Sequence, residues 1–186
     1  MQSHFAMFAR YNEWANRRLY ESASALSDQA YRADRGAFFG SVHGTLNHLL
    51  VTDRIWMNRF TGSGPTYSRL DEILFEAFPP LRAAREAEDR RMMEWIDGLH
   101  ADALDGSFTY RTIVNPKEVT QRLAPALGHL FNHQTHHRGQ VHGMLTGLQG
   151  NSAAPSMDLI YFQRETGIGL SQRQGAVTSA ARASPP

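Results

Sequence analysis

The sequence predicts an all-α protein: a four-helix bundle with a short extra C-terminal helix and at most a small hairpin before the fourth long helix. Three observations predict it. Apolar residues recur at steps of three and four over four long stretches of the 186-residue chain. Capping residues, glycines and prolines stand where those stretches begin and end. One stretch, at residues 108–114, alternates in the manner of a strand, within an expected hairpin or loop at 107–121.

The first helix is expected over residues 5–26, where Phe5, Phe8, Ala15, Leu19, Ala23 and Leu26 share a face. Ser27 and Asp28 offer caps for a short turn at 29–31. Gly36 and Gly40 mark a loop, and Ser41 is a plausible N-cap for the second helix. Its stripe is Val42, Leu46, Leu49, Trp56 and Phe60, with Asp53 in the one slot that is not apolar. Gly62 and Gly64 end it, and residues 70–78 are expected to add a short helical piece.

Pro79 and Pro80 sit where a third helix can start. It runs to about Leu99 and buries Leu81, Ala84, Met92, Trp95, Ile96 and Leu99, while its many Arg, Glu and Asp residues read as a solvated face. The long loop before it permits a crossover or a hairpin connection. Residues 108–114 are rich in β-formers and Asn115-Pro116 signals a turn. A fourth helix follows over 124–148, with Leu127, Leu130, His137, Val141, Met144 or Leu145, and Leu148 inward, and Gly150 closes it. A short helix over 157–165 completes one domain, residues 1–168. The tail 169–186 has no pattern and is expected to be disordered.

Composition narrows the function classes. Hydrophobic residues at 41% and charged residues at 20% suit a globular chain. Lys plus Arg is 19 against 18 Asp plus Glu, so no nucleic-acid partner is expected. No apolar run approaches the roughly 18 residues of a spanning helix, and the N-terminus lacks a secretory pattern. A cytoplasmic protein without a membrane partner is the expectation. The chain has no cysteine and nine histidines. That excludes disulfides, thiolate metal sites and a Cys nucleophile, and it leaves imidazole chemistry open.

His129, His133 and His137 are spaced by four on one helix face. His137 falls in the buried stripe and His133 lies one turn before it. Two inward imidazoles need a partner, because an unpaired buried polar group costs roughly 1–3 kcal/mol. Residues at i and i+4 lie about 6 Å apart along the axis. Their rings can converge on one ion with bonds of about 2.0–2.1 Å. A histidine at i+8 lies about 12 Å from the first, so a third ligand must come from another helix. His48, on the second helix, sits between two apolar rows and is inward only if that helix is buried on a wide face. Asp53 is open to three roles: ligand, neighbour of a ligand, or buried ion-pair partner. A lone buried histidine is more often a hydrogen-bonded core residue than a ligand. His129 reads as core or as a ligand's neighbour. His136 and His142 read as exposed or partner-facing, His4 and His100 as helix-end residues, and Trp14, Trp56 and Trp95 as core.

The stretch Asn132-His133-x-x-x-His137-Arg138-Gly139-Gln140 resembles the signature of the DinB/YfiT-like metalloenzyme family. Tyr11-x-x-Trp14-Ala15-Asn16, His48-Leu49-Leu50-x-x-Asp53-x-x-Trp56 and Asp158-Leu159-Ile160-Tyr161-x-x-Arg164-Glu165 match further pieces in the same order. The likeness covers residues 1–168. It implies a four-helix bundle, often a homodimer, holding one divalent ion on His48, His133 and His137. The spare apolar residues Met7, Tyr11 and Tyr20 of the first helix fit a pairing face.

Three neutral imidazoles leave at least one coordination position open, as in catalytic sites. Zinc and nickel both suit such ligands. The resemblance implies a small-molecule substrate and an S-transferase that uses a low-molecular-weight thiol, favoured over a metal-dependent hydrolase. The alternative is a stress-response bundle that binds metal without turnover. No catalytic base is assigned; Asp53 and Gln140 are the polar candidates.

Overall fold

The computed structural model describes residues 1–152 and 154–171. Four long helices form the body: α1 (Gln2–Ser24), α3 (Val42–Thr61), α4 (Phe78–Asp97) and α5 (Leu123–Gln149). Between α1 and α3 comes the single-turn α2 (Asp28–Arg32), and α6 (Leu159–Thr166) closes the domain. A 3-10 turn at Ala101–Asp105 precedes the antiparallel hairpin β1 (Ser107–Arg111) and β2 (Glu118–Arg122), paired from Ser107 with Arg122 to Arg111 with Glu118.

The ends follow local chemistry. Ser41 Oγ accepts from Gly44 N at 3.0 Å and starts α3. Gly62, at φ 68°, ends it in the left-handed conformation that glycine adopts without strain. Asp158 caps α6 by accepting from Ile160 N. Pro79 and Pro80 occupy the first turn of α4, where no N–H is required.

One expected element is corrected. Residues 70–78 form no helix before α4 begins at Phe78. Side chains of α3 take their backbone groups instead: Asn47 Oδ1 accepts from Leu74 N and Phe75 N at 2.9 and 3.0 Å, and His48 Nδ1 donates to Leu70 O. A helical turn there would have to give up these bonds.

α1 packs on α4 and α5, and α3 packs on the same two, so α1 faces α3 across the bundle. The long 62–77 loop therefore joins neighbours, and the diagonal step falls between α1 and α3. The interior has two apolar regions. One lies toward the hairpin, with Trp56, Met57, Met92, Ile96, Leu127 and Leu130. The other lies toward the opposite end, with Leu19, Leu46, Leu50, Leu81, Val141 and Leu145.

A polar belt separates them. Asn12 and Asn16 of α1, Asp53 of α3, Arg85 and Asp89 of α4, and Gln134 and Arg138 of α5 are all buried. Arg85 bridges Asp53 at 2.6 Å and Asp89 at 2.9 Å. Asp89 accepts from Asn12 and Asn16, whose carbonyl oxygens accept from Arg138, and Gln134 donates to Asp53. Two arginines and two aspartates thus balance in charge, and each of the four long helices contributes. The expected solvated face of α4 is corrected here: Arg85, Glu88 and Asp89 are interior residues. Glu88 pairs with Arg54 and Arg91.

The spare apolar residues of α1 are covered within the chain. Tyr11 and Trp14 pack against Phe162 of α6, Met7 meets Gln163, and Tyr20 packs on Phe78. Among the described residues no helix is long and apolar enough to cross a membrane. Most of the tail expected to be disordered lies outside the described residues.

Candidate metal centre

His48 on α3 and His133 and His137 on α5 come together beside the polar belt. One ring nitrogen from each falls within 4.8 Å of the others. Helix geometry brings His133 and His137 together, with ring centroids 4.4 Å apart, because four residues are close to one turn. His48 faces them because α3 is buried on a wide face, with Leu49, Leu50, Val51 and Asp53 all interior.

Two of the three rings are oriented from behind. His48 Nδ1 lies 2.7 Å from Leu70 O, an acceptor only, so Nδ1 carries the proton and Nε2 presents a lone pair. His137 Nδ1 lies 2.8 Å from Gln140 Oε1, which sets its tautomer in the same way. His133 Nε2 stands 3.3 Å from His48 Nε2, while His133 Nδ1 is buried and has no hydrogen-bond partner. Without an ion, His133 satisfies His48 by donating from Nε2. With one, its proton must reside on Nδ1 instead.

The spacing suits a metal. Two nitrogens bonded to one tetrahedral ion at about 2.0–2.1 Å stand about 3.3–3.4 Å apart. That is the separation found between His48 and His133. Burial lowers the pKa of His48 to about 4, against a raising contribution from the Leu70 carbonyl. Burial, then the neighbouring histidines, lower His133 to about 3. Burial also lowers His137, and the bond to Gln140 opposes it. All three are therefore neutral near pH 7, the form that ligates a metal.

An aromatic wall closes one side. Phe39 stacks on His48 with centroids 3.6 Å apart and planes 18° from parallel, and it meets His137 edge-on at 5.4 Å. The sequence reading marked its loop by Gly36 and Gly40 but did not single out Phe39. The signal available was a Phe-Phe pair inside a glycine-bracketed turn. Of the belt residues the sequence offered Asp53, with a buried ion pair as one of its roles, but not its partner Arg85, because a charged residue on an amphipathic helix does not announce which neighbour it will meet.

The remaining candidates separate. Asp53 lies in the belt as the ion-pair partner of Arg85, apart from the three-histidine cluster. Gln140 holds His137. His129 is exposed, with its ring 5.0 Å from Trp56 and 5.8 Å from His133, so it is neither core nor a ligand here. His136 is exposed as expected, and His142 is half-buried. Trp14 and Trp56 are core, and Trp95 is half-buried against Phe60.

Comparison with known proteins places the chain in a family. The chain is 23% identical over 168 residues to Protein DinB of Bacillus subtilis (strain 168), covering 84% of this chain and 92% of that protein. No solved structure matches significantly. The model of the DinB family matches residues 1–168, which takes in every long helix and all three clustered histidines. On that match the chain belongs to the DinB family.

Proposed function

We propose that this protein is a divalent-metal-dependent enzyme that transfers a low-molecular-weight thiol to an electrophilic small molecule. The observation that carries the reading is the cluster of His48, His133 and His137. Its ligand atoms lie within 4.8 Å of one another, and no carboxylate joins them among the described residues. Three protein ligands are the pattern of an open, catalytic site, whereas structural sites fill all four positions. A bound zinc or nickel ion would supply Lewis acidity there and lower the pKa of a coordinated thiol or water.

The chain's own residues prepare that position. Leu70 O and Gln140 hold the Nδ1 protons of His48 and His137, which directs both Nε2 lone pairs inward. Phe39 shields the His48 face from water. No cysteine is present, so the sulfur must arrive on a cosubstrate.

Elemental analysis of protein purified without a histidine tag tests the first half. About one zinc or nickel per chain is expected, and His137→Ala should lose it. A metal content far below one, unchanged in His137→Ala, overturns the site. Turnover of model electrophiles with several small thiols tests the second half. Thiol-independent hydrolysis would reassign the reaction, and full metal loading without any turnover would make the bundle a passive metal binder.

A further inference from the structure

Among the described residues several cations have no acidic partner, and one of them is half-buried against two aromatic rings. Arg59 lies near the C-terminus of α3, half-buried, with its guanidinium carbon 4.6 Å from the Trp56 ring and 4.2 Å from the Tyr110 ring. Its single hydrogen bond among the described residues is a long one, 3.4 Å from Nη2 to Arg111 O. No carboxylate of the described residues lies within ion-pairing distance of it. Arg54 on the same helix and Arg91 on α4 both reach Glu88 instead.

Beside Arg59 a recess of about 360 Å³ opens between the end of α3, the loop that follows it and the hairpin. Ile55, Tyr67, Tyr110, Arg111 and Ile113 are among its walls, and no acidic residue lines it. Three hydroxyls at its edge have partners: Tyr67 accepts from Arg54, Tyr110 donates to Gln121, and Thr109 bonds Thr120. Glu118 stands opposite Arg111 across the hairpin, and no ion pair joins the two among the described residues. The charged donors of the recess are its two arginines.

We propose that this recess is a second binding site, which takes a small organic carboxylate carried on an apolar body. The chemistry of the walls selects that class. A guanidinium presents a planar pair of donors that matches a carboxylate, and the aromatic rings keep it partly desolvated, which strengthens the contact. Ile55, Ile113 and the face of Tyr110 offer apolar surface for the remainder of the molecule. A fully solvated polyanion would gain little from those walls. The volume is that of a small-ligand pocket. The site stands apart from the histidine cluster and does not depend on an ion there.

Titration of the full chain with phenylacetate, benzyl alcohol, benzylamine and inorganic phosphate tests this. Calorimetry would give affinity, and nitrogen-15 NMR would follow the arginine Nε–H signals. Phenylacetate should bind at least tenfold more tightly than the neutral and cationic analogues and should shift the Arg59 Nε–H. Arg59→Gln should weaken it at least tenfold, and Arg111→Gln, at an exposed hairpin position, about threefold. Chelator-treated protein should behave identically. Equal binding of benzyl alcohol, displacement by phosphate at the same concentration, shifts confined to another region, or an unchanged affinity in a folded Arg59→Gln protein would each overturn the proposal. Should Arg59→Gln fail to fold, the analogue series on wild-type protein and the Arg111→Gln variant decide it.

Discussion

Gly44 lies directly beneath the carbonyl of Phe39: a Cβ placed on Gly44 would fall 2.2 Å from Phe39 O. The obstacle is backbone, so the loop itself must move to admit a methyl group. That same loop lays the Phe39 ring on His48. Gly44→Ala is therefore expected to lift the aromatic wall from the histidines while the bundle persists. Metal affinity should fall about 10-fold or more, the size of effect seen when supporting groups of a metal ligand are lost. Competition with a chromogenic chelator measures it, with circular dichroism to verify helix content.

Gln140 reaches His137 from one turn away on the same helix. Gln140→Leu removes the acceptor that fixes the Nδ1 proton and frees the ring to rotate. A loss of about 10- to 100-fold in metal affinity is expected, with thermal stability of the metal-free protein nearly unchanged. Equal metal affinity in the two proteins would show that His137 is held by packing alone.

Arg85 is the central cation of the belt, bridging Asp53 and Asp89. Arg85→Met leaves two buried aspartates without their shared partner, which costs about 3–5 kcal/mol. The urea midpoint should drop accordingly. Adding Asp53→Asn should recover part of the loss, since an amide needs no counter-charge. A drop below about 1 kcal/mol would mean that water reaches the belt.

The metal-free protein should lose stability as the pH falls below about 6.5. His48 and His133 have folded pKa values near 4 and 3, while the unfolded chain titrates at the ordinary value. Between those limits the unfolded state binds more protons, so unfolding is favoured by acid. The contribution is complete above the unfolded pKa and is lost as the pH falls through the folded values. Burial acts in the opposite direction on Asp53, whose pKa is raised, so the comparison must be made against a His48→Gln/His133→Gln protein. Unfolding free energies from urea melts at pH 7.5 and 4.5 should differ more in the wild type, by about 5 kcal/mol.

Elements set by local chemistry were the legible part of this fold. Ser41, Gly62 and Pro79 act on their own helix ends, so their effects can be read without knowing any neighbour. The pairing of His133 with His137 is likewise a property of one helix. Whether His48 faced inward was open from periodicity alone, because that depends on how much of α3 its neighbours cover. The belt was illegible for the same reason. Arg85 and Asp89 look like an exposed i, i+4 pair until Asp53 and two asparagines arrive from other helices. Residues 70–78 failed as a helix because Asn47 and His48 compete for their backbone, a contest between distant segments that no window of sequence contains.

The belt also acts as a ruler along the bundle axis. Apolar stripes alone tolerate sliding, since one Leu layer resembles the next a turn away. Asp53, Arg85 and Gln134 do not tolerate it. A shift of one turn, about 5.4 Å, would set a charged group against a leucine layer. Gln134 is bonded to Asp53, and its chain neighbour is His133, which meets His48 one and a half turns along α3 from Asp53. The axial alignment that brings imidazoles from two helices to within a bond length or two of a common point is thus enforced by charges in the core.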